Sequence, residues 1–242
     1  INAGRSAINT PYRTGKDRCV SIRSNSPVAQ GSYRALAATQ NNFAREAFMD
    51  ELAEAAGSDP LQFRLAHLDH DRLRTVLTTA AKRFGWKEAR KSDKPGTGVG
   101  LACGDEKGAV VAACAEVEVR EDEISVKRVC QVFECGAILN PENLRAQVEG
   151  CIIMGLGAVL GEEIRFDDKR LLNPRFSQYD VPRFPDVPEL DVHLLDRPNA
   201  PSAGAGESPI IVIAPAVANA VYDAVGKRMR DLPMRLAGSE KT

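Results

Sequence analysis

The loop Gly204-Ala205-Gly206-Glu207-Ser208-Pro209 places one carboxylate behind two glycines and ahead of an apolar helical run. Glycines let a backbone pass close to a bulky ligand without Cβ clashes, and a carboxylate held there could act as a general base. The same pattern describes a flexible loop ending in a helix-start carboxylate favoured by the dipole. Residue types alone leave both readings open, the structural one ahead. A second group follows Asn140, where Gln147, Gly150, Met154 and Gly157 share one helical face. An amide, a thioether and two bare backbone positions would admit a planar ligand, with Gln147 as its hydrogen-bonding group. Close packing against another helix would use the same residues. Arg34, within Ser32-Tyr33-Arg34-Ala35-Leu36, could bind a carboxylate or a polarised carbonyl, although most such arginines pair with acids. Arg64, between Phe63 and Leu65, needs a buried partner or a path to solvent. His67 and His70 have no evident third metal ligand and read as solvated helix-end residues. Cys130, Cys135 and Cys151 lie in apolar contexts and read as buried thiols.

The elements that must position these residues follow from periodicity. A β-like run, Cys19-Val20-Ser21-Ile22-Arg23, precedes a helix expected to be capped at Asn41 or Asn42. Phe43, Ala47, Phe48, Leu52 and Ala55 form its apolar stripe and Gly57 ends it. Pro60 opens a second helix, and a third runs from Arg72 to Phe84. The charged stretch 87–98, with Pro95, is the best internal boundary. Beyond it the period becomes two: strands are expected over Gly98–Cys103, Val110–Arg120 and Glu123–Glu134, with a bulge near Val129-Cys130. Asn140-Pro141-Glu142 starts a helix reaching Leu160, with Leu144, Val148, Ile152 and Val159 as its core stripe. A hairpin over Glu163–Leu172, a strand over Leu190–Leu195, and a helix over Pro209–Val225 kinked or restarted at Pro215 complete the reading. The expected fold is α+β, a mixed sheet with packed helices: a mainly helical segment, 1–95, and a mixed segment, 96–242, as two parts or one unit.

Lys+Arg total 32 against Asp+Glu 33, for a net charge of -1, which argues against a nucleic-acid partner. No apolar run approaches the roughly 20 residues of a spanning helix, so no membrane span is expected. Six cysteines in 242 residues, none in Cys-x-x-Cys pairs, make neither a disulfide scaffold nor a zinc ribbon. The chain begins at Ile1 and reads as a piece of a longer protein.

An ordered series of segments carries a more specific indication. It comprises Gly31-Ser32-Tyr33-Arg34-Ala35-Leu36-Ala37, Asn42-Phe43-Ala44-Arg45-Glu46, Met49-Asp50-Glu51-Leu52-Ala53, Asp59-Pro60-Leu61-Gln62-Phe63-Arg64-Leu65, Cys135-Gly136 with Asn140-Pro141, Gln147-Val148-Glu149-Gly150 and Gly206-Glu207. Together these resemble the molybdopterin-binding large subunits of the xanthine dehydrogenase/aldehyde oxidase family, most closely the isoquinoline 1-oxidoreductase β-subunit type, in their C-terminal part. The resemblance implies a pterin-held molybdenum that hydroxylates an N-heterocycle or an aldehyde with oxygen from water. Electrons would leave to an iron–sulfur subunit or domain. It implies that Glu207 is the catalytic base, that Arg34 faces the small-molecule substrate, and that Gln147, Arg64, Gly150 and Gly206 lie at the cofactor.

The family's Gly-Gln-Gly segment and its cluster-binding cysteine patterns are absent, Ser208 replaces a common Pro, and Ala35 replaces the Gly of the xanthine dehydrogenase branch. The molybdenum pterin is therefore expected in the full-length protein, with the remaining N-terminal part of the large subunit as a partner. None is expected in the isolated chain, which should be inactive. The alternative is a non-catalytic scaffold or assembly module on the same fold. The compartment is open, bacterial periplasm or cytoplasm being suspected.

Overall fold

The computed structural model describes residues 4–22, 28, 29, 31–168 and 170–236. A four-stranded mixed sheet organises them, in the order β1-β2-β3-β4. Strands β1 (Thr97–Glu106), β2 (Ala109–Arg120) and β3 (Glu123–Glu134) form an antiparallel meander, and β4 (Glu189–Leu195) lies parallel to β3. Two-residue turns join the meander, Lys107-Gly108 and Glu121-Asp122, all four residues having positive φ. This is the backbone that matches the twist of the flanking strands. The expected α+β class and mixed sheet are found.

Central strand β2 is buried on both faces. Val111, Ala113, Ala115 and Val117 enter one core, and Val110, Ala112 and Cys114 enter the other. That explains its nearly continuous apolar run. It also relocates the bulge. Val129 and Cys130 simply supply opposite cores, so the slip in alternation there is two-sided burial. The extra residue is Lys127, since Glu116 pairs with Arg128 and Val117 with Val126.

Helix α3 (Asp71–Phe84) covers one sheet face and is followed by the short α4 (Trp86–Ala89), while α5 (Pro141–Leu160) and α6 (Ile213–Val225) contribute to the core on the other. Helix α6 lies directly on β1, where a Cβ on Gly98 or Gly100 would collide with the helix backbone at Ala220 or Ala216. Only glycine allows that approach. A 3-10 turn, Ser208–Val212, precedes α6, and Pro215 sits in the first turn of α6. Pro215 thus marks a restart. The stretch Ser208–Val225 is, contrary to expectation, long and apolar enough to cross a membrane, but it is mostly buried in the core. On α5, Asn140 caps through its side chain and the expected stripe Leu144, Val148, Ile152 and Val159 is buried.

Helix α1 (Ala38–Ala55) departs from the reading. It starts before Asn41, and Asn42 is buried mid-helix, donating to the carbonyls of Ile211 (2.9 Å) and Cys103 (3.3 Å). Phe48 and Leu52 are exposed, whereas Phe43, Glu46, Met49, Asp50 and Ala53 face inward. A polar network selects that face. Glu46, fully buried, accepts from the Tyr12 hydroxyl at 2.7 Å, Arg64 Nε at 2.9 Å and the Cys103 N–H at 3.0 Å. Arg64 sits on α2 (Pro60–His67), which Asp59 caps.

Smaller differences remain. Residues 18–22 form no strand, and Arg23, the end of the expected β-like run, lies outside the described residues. The Glu163–Leu172 hairpin reduces to a single bridge, Phe166 to Leu171.

Candidate functional site

Four segments far apart in sequence meet at one end of the fold. The first is the turn before α1. Ala35 and Leu36 have φ of 65° and 54°, which aims the Ala35 N–H at Glu207 Oε2, 3.0 Å away. The second is the β1–β2 turn, where Lys107 forms an ion pair with Glu207 Oε1. The third is the exposed start of α5. Gln147 Oε1 accepts from Arg34 Nη2 at 2.8 Å, and Gly150 lies beside Arg34, with Nη1 3.8 Å from where its Cβ would be. The fourth is the glycine loop, where the Gly206 carbonyl accepts from Arg34 Nε at 2.7 Å.

Arg34 thus ties the glycine loop to α5, and Glu207 is held by a backbone N–H and an ammonium. Gly204 and Gly206 face open space, so the carboxylate stands at an accessible surface, its side chain 31% exposed. Beneath the loop, the Cys151 thiol approaches the carbonyls of Gly206 and Glu207 at 3.9 Å. Burial pushes that thiol up to about 11, against an opposing pull from Arg34. It is a buried neutral group, as the sequence suggested. Burial also pushes the Glu106 carboxyl up, Lys107 opposing.

One wall continues through Tyr33, whose hydroxyl donates to Glu162 Oε2 at 3.2 Å, the same oxygen that the Tyr179 hydroxyl reaches at 2.9 Å. Burial and Glu162 raise Tyr33, and burial with the Glu162 hydrogen bond pushes Tyr179 up to about 12. Both are neutral donors across the working pH range. Met154 is half-buried and Gly157 buried, a Cβ on Gly157 colliding with the Glu162 carboxylate. Of the α5 face expected to receive a ligand, Gln147 and Gly150 are the exposed members.

The structure brings together Arg34, Gln147, Gly150, Gly206 and Glu207. It does not bring Arg64. That side chain is fully buried, bonded to Glu46 Oε2, to the Glu46 carbonyl at 2.7 Å and to the Pro60 carbonyl at 3.1 Å, with Asp50 at 3.7 Å. Arg64 has found the buried partner its apolar neighbours demanded. Two participants escaped the sequence reading. Lys107 had only the sign of a Lys-Gly pair between two alternating strands, and Ala35 acts through its backbone. His67 and His70 are occupied locally, His67 Nδ1 2.8 Å from the Phe63 carbonyl and His70 Nδ1 accepting from Leu73 N at 3.2 Å. Among the described residues no three His, Cys, Asp or Glu side chains converge as a metal cage.

Residues 32–188 match the model of a molybdopterin cofactor-binding domain. A nicotinate dehydrogenase subunit of Pseudomonas putida is 34% identical over 89% of this chain, and 20% of that protein is covered. The beta subunit of the isoquinoline 1-oxidoreductase of Brevundimonas diminuta is 34% identical over 84% of this chain and 26% of its own length. The chain thus spans about a fifth to a quarter of these curated relatives. In fold it resembles the aldehyde oxidoreductase of Desulfovibrio desulfuricans, with a TM-score of 0.71 at 14% identity over 81% of this chain and 40% of that one. The quinoline 2-oxidoreductase of Pseudomonas putida 86 has the same TM-score, 0.71, at 14% identity over 80% of this chain and 50% of that one. The chain belongs to the molybdopterin cofactor-binding family, in the group of the xanthine dehydrogenase and aldehyde oxidase molybdenum-binding subunits.

Proposed function

We propose that this chain supplies the base-bearing side of a molybdenum hydroxylase active site, oxidising an N-heterocycle or an aldehyde within a larger subunit. The observation that carries the reading is Glu207. Its carboxylate is oriented by Ala35 N–H and Lys107 at an open, glycine-lined surface that also presents Gln147.

The residues suit the cofactor. Gly204 and Gly206 leave free the volume that a Cβ would take, and the Gln147 amide and Arg34 guanidinium offer donors to an oxygen-rich anionic group. The metal would be held through the pterin rather than by side chains. When bound, the molybdenum pterin supplies two-electron oxidation of a carbon next to a ring nitrogen, or of an aldehyde carbon, with oxygen from water. Glu207 accepts the proton released at that step on a carboxylate oxygen. Arg34, already braced by Gln147 and the Gly206 carbonyl, faces the negative charge that develops on substrate. The electrons pass to an iron–sulfur partner. N-heterocycles head the candidate substrates because nicotinate and isoquinoline appear in the names of the relatives.

The test is Glu207→Gln in the full-length, metal-replete complex. The amide keeps shape but cannot accept the proton, so turnover should fall by about 10²–10⁴-fold with molybdenum content unchanged. A scaffold role predicts parental turnover, and that result would refute the assignment.

A further inference from the structure

We propose that Lys107 is a positioning residue for the Glu207 carboxylate, fixing one oxygen while the Ala35 N–H fixes the other; this rests on the reading of Glu207 as the base.

Three observations carry it. First, nothing in its own loop orients Glu207. Gly204 and Gly206 contribute no side chain and have no neighbour within 4 Å of a notional Cβ. The carboxylate is held from outside, by two elements that precede it by 172 positions, at Ala35, and by 100 positions (207 − 107), at Lys107. Second, Lys107 occupies an unfavourable backbone position. Its φ is 52° at the first place of a two-residue hairpin turn, where Asn, Asp or Gly meet the left-handed demand at least cost. Non-glycine residues kept in that region concentrate at functional sites. An ion pair with side chains 46% and 31% exposed contributes little to stability, so stability does not account for a lysine here. Third, the turn is pinned. Arg72 Nη2 donates to the Gly108 carbonyl at 2.8 Å while the same guanidinium grips buried Glu134 at 2.6 and 2.8 Å. The ammonium is thus delivered from a fixed point on the sheet.

A carboxylate that turns freely behind two loop glycines presents its lone pairs in many directions. Two donors on two oxygens leave one orientation, with the remaining lone pairs toward the open face. Rate depends steeply on such placement, an ångström of error costing up to about 100-fold.

The experiment uses the full-length, metal-replete complex with Lys107→Met, Lys107→Arg and Glu207→Gln. Zero-length carbodiimide coupling, read by peptide mass spectrometry, should join Lys107 Nζ to the Glu207 carboxyl as an amide with loss of water in the parent. It should not do so in Lys107→Met or Glu207→Gln. The pair Lys127 and Glu118, 3.0 Å apart and partly exposed, serves as the internal standard. In turnover of isoquinoline and benzaldehyde, Lys107→Met should lower kcat by about 10–100-fold with little change in KM, and Lys107→Arg should restore most of it. Coupling at 127–118 without coupling at 107–207 overturns the proposal. So does parental kcat in Lys107→Met beside an inactive Glu207→Gln, which leaves the base assignment standing. Parental turnover in Glu207→Gln overturns both.

Discussion

Replacing Glu46 by Met should remove a large part of the stability of this chain. Glu46 and Arg64 are both fully buried and meet at 2.9 Å. Without the carboxylate, Arg64 keeps two backbone carbonyls and a distant Asp50 at 3.7 Å. Breaking a buried pair by removing one partner costs about 3–5 kcal/mol. The Cys103 N–H, 3.0 Å from the lost carboxylate, becomes a buried orphan at about 1–3 kcal/mol more. The Tyr12 hydroxyl retains the Cys103 sulfur at 3.3 Å and adds less. Removing both charges, Glu46→Met with Arg64→Met, eliminates the guanidinium left with only the distant Asp50 as countercharge and should recover most of the first term. Apolar replacement of a whole buried pair is close to neutral. Urea unfolding followed by the fluorescence of Trp86, the only tryptophan and a buried one, measures each corner of the cycle. A loss under about 1 kcal/mol for Glu46→Met, or strictly additive effects, would refute the reasoning. A stable double variant of the full-length protein that fails to retain molybdenum would place Arg64 at the cofactor.

Acid should act through Glu134. Burial would push its carboxyl up, but hydrogen bonds from Arg72 and the Gly136 N–H, with the charges of Arg72 and Arg197, outweigh this and hold it below its ordinary 4.5. A depressed native value gives stability that is complete above the unfolded value and lost as pH falls through the native one. The parent's urea midpoint should therefore drop steadily below about pH 4.5, and that of Glu134→Gln should drop less. Purified alone, the 242-residue chain should carry no stoichiometric molybdenum or pterin, because a cofactor gripped from one side loses much of its contact area; elemental analysis decides.

Much of this was legible beforehand where local chemistry and periodicity agree. Asn140-Pro141 and the stripe from Leu144 to Val159 define α5 unaided, and from that phase Gln147 and Gly150 fall on the exposed side. Resemblance of short segments linked Arg34, Gln147 and Glu207, which contact one another directly or through the Gly206 carbonyl and the Ala35 N–H. Helix α1 was misread because hydrophobic periodicity has no access to polar partners. Phe48 and Leu52 resemble core residues, yet Asn42 and Glu46 win the interior through bonds to Ile211, 169 positions away, and Cys103, 57 away. Lys107 was invisible because its role depends on where a hairpin points, which no local pattern encodes.

The distances along the chain between the site's members have a consequence for biosynthesis. Arg34 meets Gln147 across 113 positions and the Gly206 carbonyl across 172, so its part of the site does not close as a short loop. Contacts of such separation form only after the intervening strands and helices have ordered. While the ribosome is still making β3, the turn at Ala35 has no carboxylate to hold and Arg34 has no amide to brace it. The site is completed only after its own scaffold has ordered.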